Sequence, residues 1–257
     1  MDCKIVFFDV DGTITNFKDG TISASTKDAI QALMSRNIKV VAATGRPLSM
    51  CQDLKELGIK TFITANGGYV KHKQTIIHKT PLDKYIVKEV IDFASKENHG
   101  LSFYTEDFSM NGVKNKQILN ALRETLSLCD FPAVNEEIYN QEVFLMCLFA
   151  DNAMVKRYIQ AFPYLTFKRW HPFVLNVLQQ EVSKSLAIIE VLKYFNIEQS
   201  KAIAFGDGDN DIDMLEVVGL GIAMGNGNDR LKQAADFVTK SSSEEGIAFA
   251  LKTYGII

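Results

Sequence analysis

Cysteine is scarce in this sequence, and the four that occur, Cys3, Cys51, Cys129 and Cys147, stand far apart with no C-x-x-C pair. A disulfide framework or a thiolate zinc site needs closer spacing, so the thiols are expected to be reduced and to behave as small apolar residues. Long apolar runs are also missing: the most apolar segment, 143–150, falls far short of the roughly 20 residues that a membrane-spanning helix needs. No basic leader or small-residue cleavage site precedes the first apolar run, since Met1-Asp2-Cys3-Lys4 passes straight into it. A mature, soluble, cytoplasmic protein without a membrane partner is the expectation. Basic clusters are absent too, with 28 Lys and Arg scattered among 31 Asp and Glu for a formal net charge of -3, so no nucleic-acid partner is expected. Repeats and low-complexity tracts do not occur. What remains, 47% hydrophobic and 23% charged over 257 residues, suffices for one large core or two modest ones and excludes disorder.

The stretch Ile5-Val6-Phe7-Phe8-Asp9-Val10-Asp11-Gly12-Thr13 organises the rest. Four consecutive apolar residues predict a buried strand, which stops at two carboxylates spaced by one residue and a glycine able to turn the chain sharply. In a parallel sheet the ligand crevice lies outside the carboxyl ends of the strands, where such a pair of acids would meet a substrate.

The pattern that follows is a βαβ unit. Helical spacing of Ala29, Ile30, Leu33 and Met34 predicts a helix over 23–37, and 38–43 reads as a second buried strand, which together imply a parallel sheet. Thr44-Gly45-Arg46-Pro47 ends that strand, with the proline suited to the first turn of a helix running to about Gly58. A short strand at 61–64 then leads to Asn66-Gly67-Gly68, a hairpin signal flanked by Tyr69-Val70 and Ile76-Ile77. From about Pro81 to about Gln180 the alternation lapses: helices are predicted at 83–96, 114–128 and 152–162, and strands near 101–105, 143–150, 165–168 and 173–178. The α/β rhythm resumes with helices at 183–195, 211–217, 229–235 and 244–252 and strands at 201–205, 220–224 and 237–239. The expected fold class is α/β, a Rossmann-like parallel-sheet core (1–81 and 181–257, discontinuous) with an inserted α+β cap domain (82–180).

Four polar clusters then sit at strand ends or helix starts: Asp9 with Asp11, Thr44, Lys184, and Asp207 with Asn210 and Asp211. Phosphoryl transfer needs an in-line nucleophile, a proton donor for the leaving oxygen and positive charge against the equatorial oxygens. Asp9 can attack phosphorus and form an aspartyl-phosphate; Asp11 can protonate the leaving alcohol and then deprotonate the hydrolytic water. So many anions facing a phosphate require a cation, and Mg2+ held by Asp9 and Asp207, with Asp211 behind them orienting waters or Lys184, is the usual remedy. Lys184 offers an ammonium at a helix start, and Thr44 offers a hydroxyl and the amides of its neighbours, Gly45 included.

Taken in order, Asp9-Val10-Asp11-Gly12-Thr13, Thr44-Gly45-Arg46-Pro47, Ser183-Lys184 and Gly206-Asp207-Gly208-Asp209-Asn210-Asp211 resemble the four motifs of the haloacid dehalogenase-like (HAD) superfamily. The insert between the second and third resembles the C2 cap of its Cof-type phosphatase branch, and Asn66-Gly67-Gly68, Ala223-Met224-Gly225-Asn226 and Ala235-Asp236-Phe237-Val238-Thr239 are similar to stretches common there. The resemblance implies a nucleophile at Asp9, a general acid/base at Asp11 whose backbone carbonyl reaches Mg2+, a metal ligand at Asp207 and an acid close to the metal at Asp211. It implies that Thr44, Lys184 and Asn210 hold the phosphoryl group. Ser185 stands where a glycine commonly follows the lysine, Glu181-Val182 where many members have Gly-Val, and Asn176 where many relatives carry an acid. The expected activity is hydrolysis of a small phosphorylated metabolite such as a sugar phosphate, with a cap that closes over the site. Phosphosugar transfer by a mutase, or phosphometabolite binding by a non-catalytic regulator, are the alternatives.

Competing readings of single motifs are weaker. The acids from Asp207 to Asp213 suggest a calcium loop, but the glycine and glutamate required at its sixth and twelfth positions are Ile212 and Val218. Gly219-Leu220-Gly221 lacks the third glycine of a dinucleotide fingerprint, and no phosphate-binding G-x-x-x-x-G-K-[ST] occurs. Arg46 can touch phosphate or cap a helix. His72, His78 and His99 are expected at the surface, and His171, Tyr104 and Phe173 are expected to pack rather than to contact substrate.

Overall fold

The structure, a computed structural model, describes residues 2–257. In chain order its first elements are β1 (Ile5–Phe8), α1 (Ala24–Ser35), β2 (Lys39–Ala43), α2 (Gln52–Glu56), β3 (Thr61–Thr64), β4 (Tyr69–His72) and β5 (Thr75–Lys79). Next come α3 (Lys84–Glu97), β6 (Gly100–Tyr104), β7 (Phe108–Met110), α4 (Lys116–Leu126), β8 (Leu145–Phe149), α5 (Asn152–Ala161), β9 (Thr166–His171) and β10 (Val174–Leu178). The chain closes with α6 (Lys184–Phe195), β11 (Ala202–Gly206), α7 (Ile212–Glu216), β12 (Leu220–Ala223), α8 (Asp229–Ala234), β13 (Phe237–Val238) and α9 (Gly246–Thr253). These segregate into two compact units, one comprising residues through Gly45, Cys51–Lys79 and Ser183–Ile257, the other Arg46–Met50 and Thr80–Val182.

The first unit is built on an eight-stranded sheet in the order β13-β12-β11-β1-β2-β3-β4-β5. The six strands from β13 to β3 run parallel, and β4 and β5 are added antiparallel. β1 lies in the middle of the sheet and is buried on both faces, which is why its sequence is an uninterrupted apolar run rather than an alternating one. Chain order moves outward from β1 through β2 to β3 on one side and from β11 through β12 to β13 on the other. The strand order therefore reverses between β1 and β11, the switch point at which the carboxyl ends of an open α/β sheet part to form a crevice. Register aligns Phe8 with both Ala42 and Phe205, and the Phe8 and Phe205 rings stack 5.0 Å apart, so the residues that follow β1, β2 and β11 emerge at one level. Ile5 and Phe7 of β1, with Ala187, Ile188, Val191 and Leu192 of α6, form the core of one face.

The second unit is a five-stranded antiparallel sheet, β7-β6-β8-β10-β9. Val87, Val90 and Ala94 of α3 and Val155 and Tyr158 of α5 cover Leu101, Phe103, Met146, Leu148, Leu175 and Val177 on one of its faces. The period-2 alternation places Ser102, Cys147 and Asn176 in a row on the other face, where the Cys147 thiol donates to Asn176 Oδ1 at 3.4 Å.

Three local expectations are corrected. The helix predicted from Pro47 to about Gly58 is broken: Leu48–Met50 makes a single tight turn and α2 starts only at Gln52. The Ser49 N–H is spent outside any helix, on the Glu106 carbonyl at 2.8 Å. β7 is a three-residue edge strand too short to leave a period in the sequence. His72, His78 and His99 are half-buried rather than fully exposed: His72 Nδ1 pairs with Thr61 Oγ1 at 2.8 Å, and His99 Nδ1 with the Tyr158 hydroxyl at 3.1 Å. His171 pairs with Glu124 at 2.9 Å, and Tyr104 is core.

Candidate active site

Each element of the crevice delivers one polar group from its end. β1 extends to Asp9, whose N–H donates to the Phe205 carbonyl at 2.8 Å and so continues the ladder one residue beyond the strand. The chain then turns through Val10–Ile14 with Gly12 at φ 87, a left-handed conformation that glycine adopts without cost. A Cβ at position 12 would collide with the Asp207 carboxylate, so the glycine is needed for two reasons. Asp207 follows β11, and Asp211 sits in the next turn, where its Oδ2 accepts the N–H groups of Asp207 and Gly208, both at 3.0 Å. That bidentate capture folds the acidic loop back on itself and fixes the other oxygen, Oδ1.

Asp211 Oδ1 and Asp9 Oδ1 each accept from Lys184 Nζ at 2.6 Å. The lysine is 1% exposed and begins α6, whose first turn is capped twice. Ser183 Oγ accepts from Leu186 N–H at 3.3 Å, and Asp213 Oδ2 accepts from Ser185 N–H at 3.1 Å and from Ser185 Oγ at 2.6 Å. Ser185 thus ties the α6 start to α7.

Asp9, Asp207 and Asp211 each contribute a carboxylate oxygen to a group lying within 4.8 Å of one another. Burial, and next the charge of Asp211, push the Asp9 carboxyl well above the usual carboxylate range against the pull of Lys184. The same two causes raise Asp207 to about 6. Burial disfavours the Lys184 ammonium, but Asp211 and Asp9 outweigh it and hold the lysine charged, above the ordinary lysine range. One ammonium cannot neutralise three carboxylates. The surplus of two negative charges on oxygen donors, without sulfur or imidazole, matches a hard divalent cation.

Asp11 is exposed, and its carboxylate lies outside that acidic group. Thr44 is buried at the end of β2, its N–H on the Ile63 carbonyl at 2.8 Å, with Gly45 next to it. Asn210 is exposed, and its Nδ2 donates to Asn66 Oδ1 at 3.4 Å. Arg46 Nη1 donates to the Met50 carbonyl at 3.4 Å. The second unit holds Arg46 and Met50; every other residue named at the site belongs to the first.

Asn226 carries no role in the sequence reading, yet it links three parts of the site. Its Nδ2 donates to Asp207 Oδ2 at 3.0 Å and to the Gly12 carbonyl at 2.9 Å, and its Oδ1 accepts from Ser242 N–H at 2.8 Å. The available signal was positional: Asn226 follows a predicted core strand, β12, as Asp9, Thr44 and Asp207 follow theirs.

Comparison with known proteins identifies the family. A family model described as haloacid dehalogenase-like hydrolase matches residues 6–251. YkrA of Bacillus subtilis (strain 168) is 36% identical over 260 residues, covering 100% of both chains. The 5-amino-6-(5-phospho-D-ribitylamino)uracil phosphatase YitU of the same organism is 29% identical over 272 residues, with 97% of each chain covered. Among solved structures, the HAD subclass IIB sugar phosphatase BT4131 superposes with a TM-score of 0.82 at 34% identity, covering 99% of this chain and 100% of that one.

Proposed function

The chain belongs to the haloacid dehalogenase-like hydrolases as one of their phosphatases, and from that premise we propose that it is a Mg2+-dependent phosphomonoester hydrolase of sugar or polyol phosphates working through an aspartyl-phosphate. The observation that carries the reading is the buried Lys184 ammonium held 2.6 Å from both Asp9 and Asp211 at the switch point of the sheet. A lysine so placed fixes one Asp9 oxygen and leaves the other for attack. In the first half-reaction that oxygen bonds to phosphorus as the bond from phosphorus to the substrate oxygen breaks, and Asp11 gives the leaving oxygen its proton. Water then attacks phosphorus, passes a proton to Asp11, and the acyl-phosphate bond breaks to restore the Asp9 carboxylate. In this reading Lys184, the Thr44 hydroxyl, the Gly45 N–H and the Asn210 carboxamide hold the equatorial oxygens.

Mg2+ would be held by Asp9 and Asp207 with the Asp11 carbonyl, Asp211 lying behind, and would supply charge neutralisation between carboxylates and phosphate. The substrate class rests on BT4131, a sugar phosphatase, and on YitU, whose substrate carries a phosphoribityl group. Four free cysteines suit a reducing cytoplasm. Release of inorganic phosphate from a panel of phosphorylated sugars, polyols and nucleotides, with Mg2+ and with EDTA, tests the reading. Turnover of sugar or polyol phosphates that EDTA abolishes and Mg2+ restores is expected; turnover indifferent to EDTA would exclude the metal.

Cation binding has a readout that needs no turnover. Asp9 and Asp207 have folded-state pKa values above their unfolded ones, so in metal-free protein the folded state binds more protons between about pH 4 and pH 6. Stability therefore falls as pH rises through that window, where Asp207 gives up its proton, and Asp9, pushed well above the usual carboxylate range, adds to the fall. Mg2+ at a hundredfold excess over its Kd adds about 2.7 kcal/mol, which for a chain of this size is a Tm rise of about 5–10 °C. At a fixed Mg2+ concentration the rise is expected to be larger at pH 7.5 than at pH 4.5, where protons compete for the carboxylates; equal shifts at the two pH values would contradict the assignment. Asn226→Ala frees Asp207 Oδ2 and is expected to raise at least about tenfold the Mg2+ concentration needed for a given Tm rise. An unchanged requirement would remove Asn226 from the metal's surroundings.

A further inference from the structure

The hairpin signal Asn66-Gly67-Gly68 does more than reverse the chain between β3 and β4. Three consecutive residues there have positive φ: Ala65 at 52°, Asn66 at 54° and Gly67 at 105°. Alanine rarely adopts this conformation, and such strain persists only where the surroundings impose it. The surroundings are the phosphoryl-holding residues themselves. Asn66 N–H donates to the Thr44 carbonyl at 3.1 Å, and the Asn66 carboxamide lies against Gly45, whose Cβ, if present, would stand 3.1 Å from Oδ1. Asn66 Oδ1 accepts from Asn210 Nδ2. Gly67 packs on the carbonyl of Ser183, the residue before Lys184, so closely that a Cβ would overlap it. One turn thus touches Thr44, Gly45 and Asn210, three of the groups assigned above to the phosphate, and also the residue before Lys184, the fourth.

We propose that the Ala65-Asn66-Gly67 turn is a positioning element of the phosphoryl site, with Asn66 the positioning residue that orients the Asn210 carboxamide and the Thr44–Gly45 backbone about one bound oxyanion. The inference rests on the phosphatase reading for the identity of that oxyanion. Asn66 suits the position because asparagine tolerates the left-handed region and also supplies an acceptor; glycine would supply only the first.

The test is a double-mutant cycle on Asn66→Gly and Asn210→Ala, read as the Kd of inorganic phosphate in the presence of Mg2+, with Tm as the check on folding. Glycine keeps the backbone conformation, so Tm of Asn66→Gly should stay near that of the wild type. Each single variant is expected to weaken phosphate binding about tenfold, and the double variant no more than the weaker-binding single, because glycine keeps the backbone N–H on the Thr44 carbonyl and loses only the carboxamide, which acts through Asn210. Multiplying losses in the double variant, or wild-type phosphate affinity in Asn66→Gly, would overturn the proposal. Because the readout is binding, its failure is separate from that of the phosphatase reading, which falls instead if Asp9→Asn keeps turnover.

Discussion

Asp9→Asn is expected to abolish phosphate release, with kcat lowered by about four orders of magnitude or more, while the protein folds as before. The carboxamide matches the carboxylate in shape and can still accept from Lys184 Nζ through Oδ1, and the N–H of residue 9 still meets the Phe205 carbonyl. What disappears is the charged oxygen that would bond to phosphorus. Stability should not suffer, because the lost charge is one that burial and Asp211 both disfavour. In metal-free protein the Tm is expected to stay level or rise slightly, and the Mg2+-dependent Tm rise should shrink. Formation of a fluoroberyllate adduct, which requires a carboxylate oxygen, should be lost as well. Turnover within tenfold of the wild type would remove Asp9 as nucleophile, whatever the fate of the metal.

The way the fold could be read from the chain explains why some of the site was harder to see. β1, β2, β11 and β12 each bury a short apolar run, and such runs are legible because crossover elements cover both faces of a parallel sheet. That Asp9 and Asp207 follow two of these strands was legible too. Their adjacency was not, since it depends on the pairing of Phe8 with Phe205 across 197 positions of chain, a register that no local pattern encodes. Arg46–Met50 misled for a different reason: its proline and apolar spacing favour a helix, but the Ser49 N–H finds a partner at Glu106, and tertiary contact overrides propensity. Asn226, Asn66 and Asp213 escaped notice as functional because amides and single acids at loop positions are ordinary turn residues. Only the distances separate an asparagine that caps a turn from one that holds a carboxylate. Ser185 shows the converse, a visible departure from the family pattern whose meaning, the bond to Asp213, lies in a segment 28 residues away.

Lys184→Met is expected to be the most damaging single change to the fold as well as to the chemistry. It removes two 2.6 Å ion pairs at once and leaves Asp9 and Asp211, 7% and 1% exposed, facing each other and Asp207 without a counter-charge. Removing one partner of a buried charge network typically costs about 3–5 kcal/mol, here at neutral pH in the absence of metal. The sign of the pH dependence follows: with the ammonium gone Asp9 and Asp207 bind protons still more readily in the folded state, so the variant should regain stability as pH falls from 7 toward 5. Loss of turnover in this variant alone would not separate catalysis from folding, so the second change matters. Asp211→Asn in the same chain removes one of the stranded charges while its carboxamide oxygen can still accept from the Asp207 and Gly208 N–H groups. The double variant is therefore expected to recover much of the lost Tm at neutral pH. Its kcat/KM should nevertheless remain at least about a thousandfold below the wild type, because the positive charge against the transferring phosphoryl group is still missing. Recovery of turnover together with stability would mean that Lys184 serves only to neutralise Asp211, and the electrostatic half of the mechanism would then have to come from Thr44, Gly45, Asn210 and the cation.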